Sequence, residues 1–498
     1  MVPILVGVAL AMFLSFLDTT IVATALPRIG HDLHAFTQIG WVATSYLLTT
    51  TVLQPLFGRF ADIFGRKPVI LFCLSVFLAG CALCGTAPNM ALLIVFRGLT
   101  GVGAAGLMTL SVVIVSDIVP LSQRALFLSG QGVIFAFASV LGPMLGGLFT
   151  DKLSWRWVFF INLPIGGLAM LTLVLFLHIP RPTGKFWAQI RRLDGWGILT
   201  MMAATCTLLL AVSWGGNEYP WSHPLVIGLF IAGLVGTVLF VVVEIYVATE
   251  PLIPMRLFTN RNVALTMIGI TFLGMVVLGH LIYMPIYFTV VRGNTATVAG
   301  LKLLPLMLGL VTSSLLSGVY INKTGRYIPL IWLGGVIATV GMGVTTLLTR
   351  HSTLGHEIGC LLVVGLGTGL CLQPSLLVAQ SAASDDDVAI VTACWGFFQN
   401  IGSTIGLAIM GSVLNNCQDS ELAHLAHKYN VTLPSDPSTI DFHQMPPGFY
   451  HDYQDAYAQG LRMVFIVAIP LMGLSLLSAV FLKHIPLRTS TGGANVVL

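Results

Sequence analysis

From Pro3 to Lys483 the chain passes through one apolar stretch after another, each about as long as the roughly 20 residues that a helix needs to cross the hydrocarbon core of a bilayer. The stretches fall near 3-26, 36-57, 69-87, 89-113, 124-149, 156-178, 194-214, 223-247, 262-290, 298-320, 328-348, 355-381, 388-414 and 461-483, fourteen in all. Charged residues make up 8% of the chain, against about a quarter in soluble domains, so lipid is the solvent for most of it. In lipid the backbone must satisfy its own polar groups, and the expected fold class is an all-α integral membrane protein. The first stretch is expected to stay in the protein rather than act as a signal peptide, because it is long, contains Asp18 and lacks a small-residue cleavage site before Pro27.

Lys and Arg accumulate in cytoplasmic loops, which gives the stretches an orientation. With the first residue inside, the alternate loops and the tail collect fourteen of them, namely Arg59, Arg66, Lys67, Arg124, Arg181, Lys185, Arg191, Arg192, Arg256, Arg261, Lys323, Arg326, Lys483 and Arg488. The opposite loops collect seven: Arg28, Lys152, Arg156, Arg292, Arg350, Lys428 and Arg462. Both termini are therefore expected in the cytoplasm. The same bias accounts for the net charge of +4 without a nucleic-acid surface. The longest polar stretch, 415-460, falls outside as a large loop and carries Asn430-Val431-Thr432, a glycosylation sequon usable only on that side. A second sequon at Asn322 falls inside and is expected to stay bare. Seven of the eight cysteines lie in or at the ends of spans, Cys417 alone sits in the outer loop, and no disulfide framework is implied.

The chain also repeats itself. In "GRFADIFGRKP", Gly58, Asp62, Gly65 and Arg66 match Gly318, Asn322, Gly325 and Arg326 of "GVYINKTGRYIP" at identical spacing, with a proline after each. Each copy joins the second and third spans of a six-span unit, and such repeats mark the two halves of a transporter that rock about a central site. The expected organisation is six helices in 1-178, a cytoplasmic linker plus two extra helices in 179-260, six more helices in 261-483, and a cytoplasmic tail at 484-498.

With these residues in view, the sequence resembles the major facilitator superfamily, in particular its fourteen-span drug:proton antiporters, and it is similar to fungal members. "LDTTIVATALP" (17-27) resembles the family's first-helix motif, and "GRFADIFGRKP" resembles its signature loop between helices two and three. "RGLTGVGAAG" (97-106), "LGPMLGG" (141-147) and "WRWVFFINLPIG" (155-166) resemble its fourth-, fifth- and sixth-helix motifs. Thr100 stands where the family usually has glutamine, Ala138 where glycine is commoner, and Asn322 where the second loop would carry an acid. The resemblance implies two pseudo-symmetric bundles in a 6+2+6 arrangement, no enzyme activity, no cofactor and no metal. It also implies proton-coupled export of small amphipathic or toxic molecules, by a chain expected to be monomeric and to lie in the plasma membrane rather than the vacuolar one.

The motif residues have physical readings of their own. Asp18 sits mid-span, where an uncompensated charge costs about 2.5 kcal/mol or more, so it is expected to face the bundle or a water-filled cavity, as a proton site or as a structural acid. Arg97, near the start of the fourth span, either acts on a carboxylate or snorkels to the interface. Gly142, Gly146 and Gly147 around Pro143 let helices approach closely and bend; on the family's reading that contact limits proton leak. Asp62 is expected to meet a helix N-terminus or a basic side chain in one state of a cytoplasmic gate, with Arg66 and Lys67 holding the loop inside.

Cavity candidates are His280, Tyr283 and Tyr287, spaced to share one helix face, together with Ser313, Ser314, Gln399 and Asn400. Asp117, Glu244 and Glu357 lie near span ends, which favours neutral, weakly ionised or monocationic substrates over dications. Asp385, Asp386 and Asp387 read as a solvated turn. There is no GxxxxGK[ST] phosphate loop, which disfavours an ATP-driven pump. The rival readings are a vacuolar importer of basic amino acids and a non-transporting sensor on the same fold.

Overall fold

The computed structural model describes residues 2-35, 38-119, 121-178, 194-216, 219-248, 250-384, 387-429, 431, 446 and 448-485. Asn430, Asp385, Asp386, the 179-193 linker and the tail from 486 onwards therefore lie outside the described residues. Among those described, the elements are helices: α1 (Val2–Asp32), α2 (Ile39–Phe64), α3 (Arg66–Thr86), α4 (Met90–Ile118), α5 (Leu121–Lys152), α6 (Trp157–Phe160) and α7 (Asn162–Phe176). The insertion contributes α8 (Gly195–Trp214), α9 (Pro224–Tyr246) and the short α10 (Arg256–Thr259). There follow α11 (Arg261–Ile286), continued by a π turn over Tyr287–Val291, α12 (Ala296–Leu301), α13 (Leu304–Thr324), α14 (Ile328–Thr345), α15 (Leu354–Ala382), α16 (Val388–Tyr429) and α17 (Phe449–Val480).

The helix starts follow from local chemistry. Side-chain oxygens accept from the otherwise unpaired N–H groups of the first turn: Asn89 from Leu92 N at 2.9 Å, Asp194 from Gly197 N at 2.9 Å and Thr295 from Val298 N at 3.4 Å. At the other end of α13, Gly325 takes a left-handed conformation with φ of 67°, which a residue with a Cβ adopts only at a cost.

Thirteen of these helices are long and apolar enough to cross a membrane, and α2, with 26 residues, is the fourteenth of membrane length. What faces lipid is plain on α9, where Leu234, Val235, Val238 and Leu239 are all exposed on the protein surface. The packing is helix on helix, with glycines where the axes come closest. A Cβ on Gly142 would lie 2.1 Å from Thr20 Oγ1, and one on Gly146 would lie 2.5 Å from the Ile21 carbonyl, so α5 rests directly on α1. Gly147 faces open space.

One sequence expectation needs correction here. The stretch 415-460 is not a loop throughout: α16 runs on to Tyr429, and α17 begins at Phe449. Leu422 and Leu425 on one helix and Phe449, Tyr453 and Ala456 on the other form a small apolar cluster that holds the two extensions together. Cys417 accordingly lies on a helix. The sixth span runs over Trp157–Phe176 as expected, with a turn at Ile161 between α6 and α7.

Candidate functional site

Two charges lie deep in the first bundle, and they are paired. Asp18, in the middle of α1, accepts from Arg97 Nη1 at 2.6 Å, and both side chains are almost completely buried. Arg97 Nε donates to the Val42 carbonyl at 3.1 Å, and its guanidinium lies 4.3 Å from the centre of the Tyr46 ring. The other Asp18 oxygen is approached by Asn162 Nδ2 at 3.4 Å, which also reaches Cys81 Sγ at 3.6 Å. Arg97 therefore does not snorkel. The carboxylate and guanidinium offset each other's desolvation, and removing either would leave the other uncompensated. α1, α2, α4 and α7 supply this cluster, so it belongs to the interior of the first bundle. Tyr46 and Asn162 are parts of it that sequence reading did not single out.

A second cluster lies at the end of the bundle that carries the signature loop. Arg66 donates to Asp62 Oδ1 at 2.5 Å and to Asp117 Oδ2 at 2.9 Å, tying together α2, α3 and α4. Burial pushes the Asp62 carboxyl above its ordinary value, while Arg66 and Arg59 pull it back. Lys67 Nζ donates to the Val174 carbonyl at 2.8 Å. Gly65 has φ of 90°, which makes the sharp turn from α2 into α3 possible. Gly58 is pressed against Ala389 and Ala393 at the start of α16. The second copy of the loop is built differently: Gly325 has a different backbone conformation from Gly65, and Asn322 and Arg326 are exposed.

The two bundles meet across a seam, and the seam is closed at this same end. Residues 50-58 of α2, 109-116 of α4, 373-381 of α15 and 387-395 at the start of α16 are buried without interruption, whereas 43-49 and 398-401 are mostly half exposed. Neutral amides bridge it. Asn400 donates to Gln54 Oε1 at 3.0 Å, and Gln373 donates to Gln131 Oε1 at 3.4 Å. Gln380 donates to Ser116 at 3.0 Å and to Thr392 at 2.9 Å, and accepts from Arg124 at 3.3 Å. Gly132 lies against Leu310 and Ser314.

Of the cavity candidates, Asn400 and Ser314 lie at the seam. Ser313 is buried against Gly369 and donates to the Leu310 carbonyl at 3.2 Å, and the Gln399 backbone packs against Gly274. His280, Tyr283 and Tyr287 are all buried against neighbouring elements of their own bundle. His280 is buried between Thr345, at 3.5 Å, and the Phe465 ring, at 5.1 Å. Tyr283 donates to the Leu407 carbonyl at 3.2 Å and Tyr287 to the Thr349 carbonyl at 2.9 Å.

The acids near span ends are all engaged. Glu244 accepts from Leu252 N at 3.1 Å and Ile253 N at 3.2 Å, and Glu357 is held by Arg292 at 2.8 Å and Lys302 at 2.9 Å. Asp387 is not in a solvated turn. It is 3% exposed and takes both Arg256 amino groups, at 2.8 and 2.9 Å.

The glycine-set contact between α1 and α5 and the signature loop are built from the motifs on which the resemblance rests, and the family profile for the Major Facilitator Superfamily matches residues 8–407. The chain belongs to the major facilitator superfamily. Members of this superfamily are membrane transporters, and so is this chain. It is 33% identical over 482 residues to an MFS-type efflux pump, MFS1, of Arthroderma benhamiae, covering 96% of this chain and 90% of that one. It is 34% identical over 489 residues to the efflux pump aflT of Aspergillus parasiticus, covering 96% and 94%. With the multidrug transporter protein MdtP of Bacillus subtilis the identity is 36% over 438 residues, covering 88% and 80%. Among solved structures, the fold is similar to the human organic anion transporter MFSD10, with a TM-score of 0.59 at 16% identity, covering 94% of this chain and 99% of that one.

Proposed function

We propose that this superfamily member is a proton-coupled antiporter that exports small amphipathic compounds by alternating access. The reading is carried by one observation: a buried ion pair inside the first bundle, Asp18 with Arg97, in a protein whose two bundles close on each other at the end that carries the signature loop. The relatives named as efflux pumps and a multidrug transporter support the direction of transport. The Lys and Arg bias supports a cytoplasmic location for the closed end and for both termini, so closure there is read as the state shut towards the cytoplasm. A proton arriving from outside at Asp18 removes the counter-charge of Arg97 and so shifts the balance between the two states. The driving force is about 1.4 kcal/mol per pH unit plus about 2.3 kcal/mol per charge per 100 mV. The neutral amides Gln54, Gln131, Gln373 and Asn400 at the seam favour neutral or weakly ionised substrates.

Purified protein in liposomes should move an amphipathic dye only when a pH gradient is imposed, and reversing the gradient should reverse the flux. Absence of movement under any gradient would favour the sensor reading, and uptake competed by lysine and arginine would favour the vacuolar importer. Asp62 and the loop around it act as the gate element. Asp62→Asn should slow transport while leaving equilibrium binding of a labelled substrate nearly intact, and a large loss of binding would sink that role.

A further inference from the structure

We infer that the segment from Glu250 to Arg256, which leads out of the two-helix insertion, is an electrostatic strap that holds the two bundles together at the closed end. The inference rests on the alternating-access reading, because it concerns what must break when that end opens. Its first fastening is to the first bundle: Arg59 Nη2 on α2 donates to Glu250 Oε2 at 2.6 Å, with both side chains half-buried. Its second is to the other bundle. Arg256 grips Asp387, at the start of α16, with two hydrogen bonds of a matched planar pair, and Ser384 adds a third bond to the same carboxylate.

Between the fastenings the segment is held taut. Glu244, in the last turn of α9, accepts from the backbone N–H groups of Leu252 and Ile253, and both of those side chains are buried. The strap is thereby anchored to the insertion as well as to both bundles. Immediately beyond it, Phe258 packs on Phe398 of α16 with ring centres 6.0 Å apart, and Asn260 donates to the Ala382 carbonyl at 3.0 Å.

The fastenings sit where the bundles touch. Arg59 follows Gly58, which is pressed against Ala389 and Ala393, and Asp387 stands just before those two residues on the chain. Parting α2 from α16 therefore carries Arg59 away from Asp387. The strap between them has a backbone pinned by Glu244 and cannot lengthen to follow, so one of the two ion pairs must break each time this end opens. The insertion thus has a task in the transport cycle: it holds the part of the chain that weights the balance towards closure.

The test reads opening without substrate. Ser116 is 1% exposed and lies in the seam beside Gln380, so a cysteine there reacts with a maleimide only when the closed end opens. Ser116→Cys is introduced after the eight native cysteines have been replaced, and alkylation is followed in lipid nanodiscs. Glu250→Gln, a conservative change on a loop, and Arg256→Gln should each raise the initial rate roughly fivefold. The exchange of charges in Arg59→Glu with Glu250→Arg should return it towards the parent rate. Labelling at one rate whatever the strap carries would overturn the strap alone, as would an exchanged pair that labels as fast as Glu250→Gln. No labelling in any variant would sink the strap together with the opening it depends on.

Discussion

Asp18→Asn is expected to lower the stability of the purified protein by about 3–5 kcal/mol, because it leaves Arg97 charged in a site with almost no contact with solvent. Arg97→Gln should cost a similar amount by stranding the carboxylate. The double variant Asp18→Asn with Arg97→Gln replaces the ions by a neutral hydrogen-bonded pair, and its thermal unfolding should return most of the way to that of the parent. Transport separates the structural part of the pair from the functional part. If the pair carries the proton, the double variant should still exchange substrate down its own gradient in liposomes yet fail to concentrate it against one when a pH gradient is applied. Gradient-driven accumulation at the parent rate in the double variant would show that the proton travels elsewhere.

The second large effect concerns the contact between α1 and α5. Gly142→Ala and Gly146→Ala should each destabilise the protein by about 1–3 kcal/mol, since the new methyl group would meet Thr20 Oγ1 or the Ile21 carbonyl well inside van der Waals distance. Gly147→Ala, in the same motif but facing open space, should be nearly silent. Thr20 Oγ1 donates to the Ala138 carbonyl at 3.0 Å across the same contact, so forcing the helices apart removes that bond too. Thermal unfolding of the three variants side by side checks this: equal losses at 142, 146 and 147 would mean that the glycines act through helix flexibility and not through close approach.

Much of this architecture could be read from the chain, because in lipid the length and apolarity of a segment decide that it is a helix, and the glycine-rich loop at 58-68 repeats at 318-329. Asp18 and Arg97 stood out because charges are rare at that depth. Their being partners did not, since 79 residues separate them and nothing in local spacing encodes which helices become neighbours. The amides of the seam were hidden for the same reason: Gln54, Gln131, Gln373 and Gln380 each look like ordinary polar residues until the opposite bundle is in place. His280, Tyr283 and Tyr287 read as cavity candidates because spacing shows which residues align on a helix but not which neighbours cover them, and all three are buried within their own bundle. Asp387 looked solvated within a run of acids because its partner, Arg256, lies 131 residues away along the chain.

Among the described residues, α2 is the one membrane-length helix that falls outside the thirteen apolar enough to cross a bilayer. Its middle carries Thr49, Thr50, Thr51, Gln54 and Pro55, and these sit against protein: Thr50 Oγ1 donates to the Gly101 carbonyl of α4 at 3.2 Å, and Gln54 meets Asn400. During synthesis such a segment gains little by entering lipid on its own. It needs α4 as a partner, and α4 emerges only after α3, so the first four helices have to be accepted by the membrane as a group. The polar residues that later let this helix close a seam thus also fix the order in which the protein can be assembled.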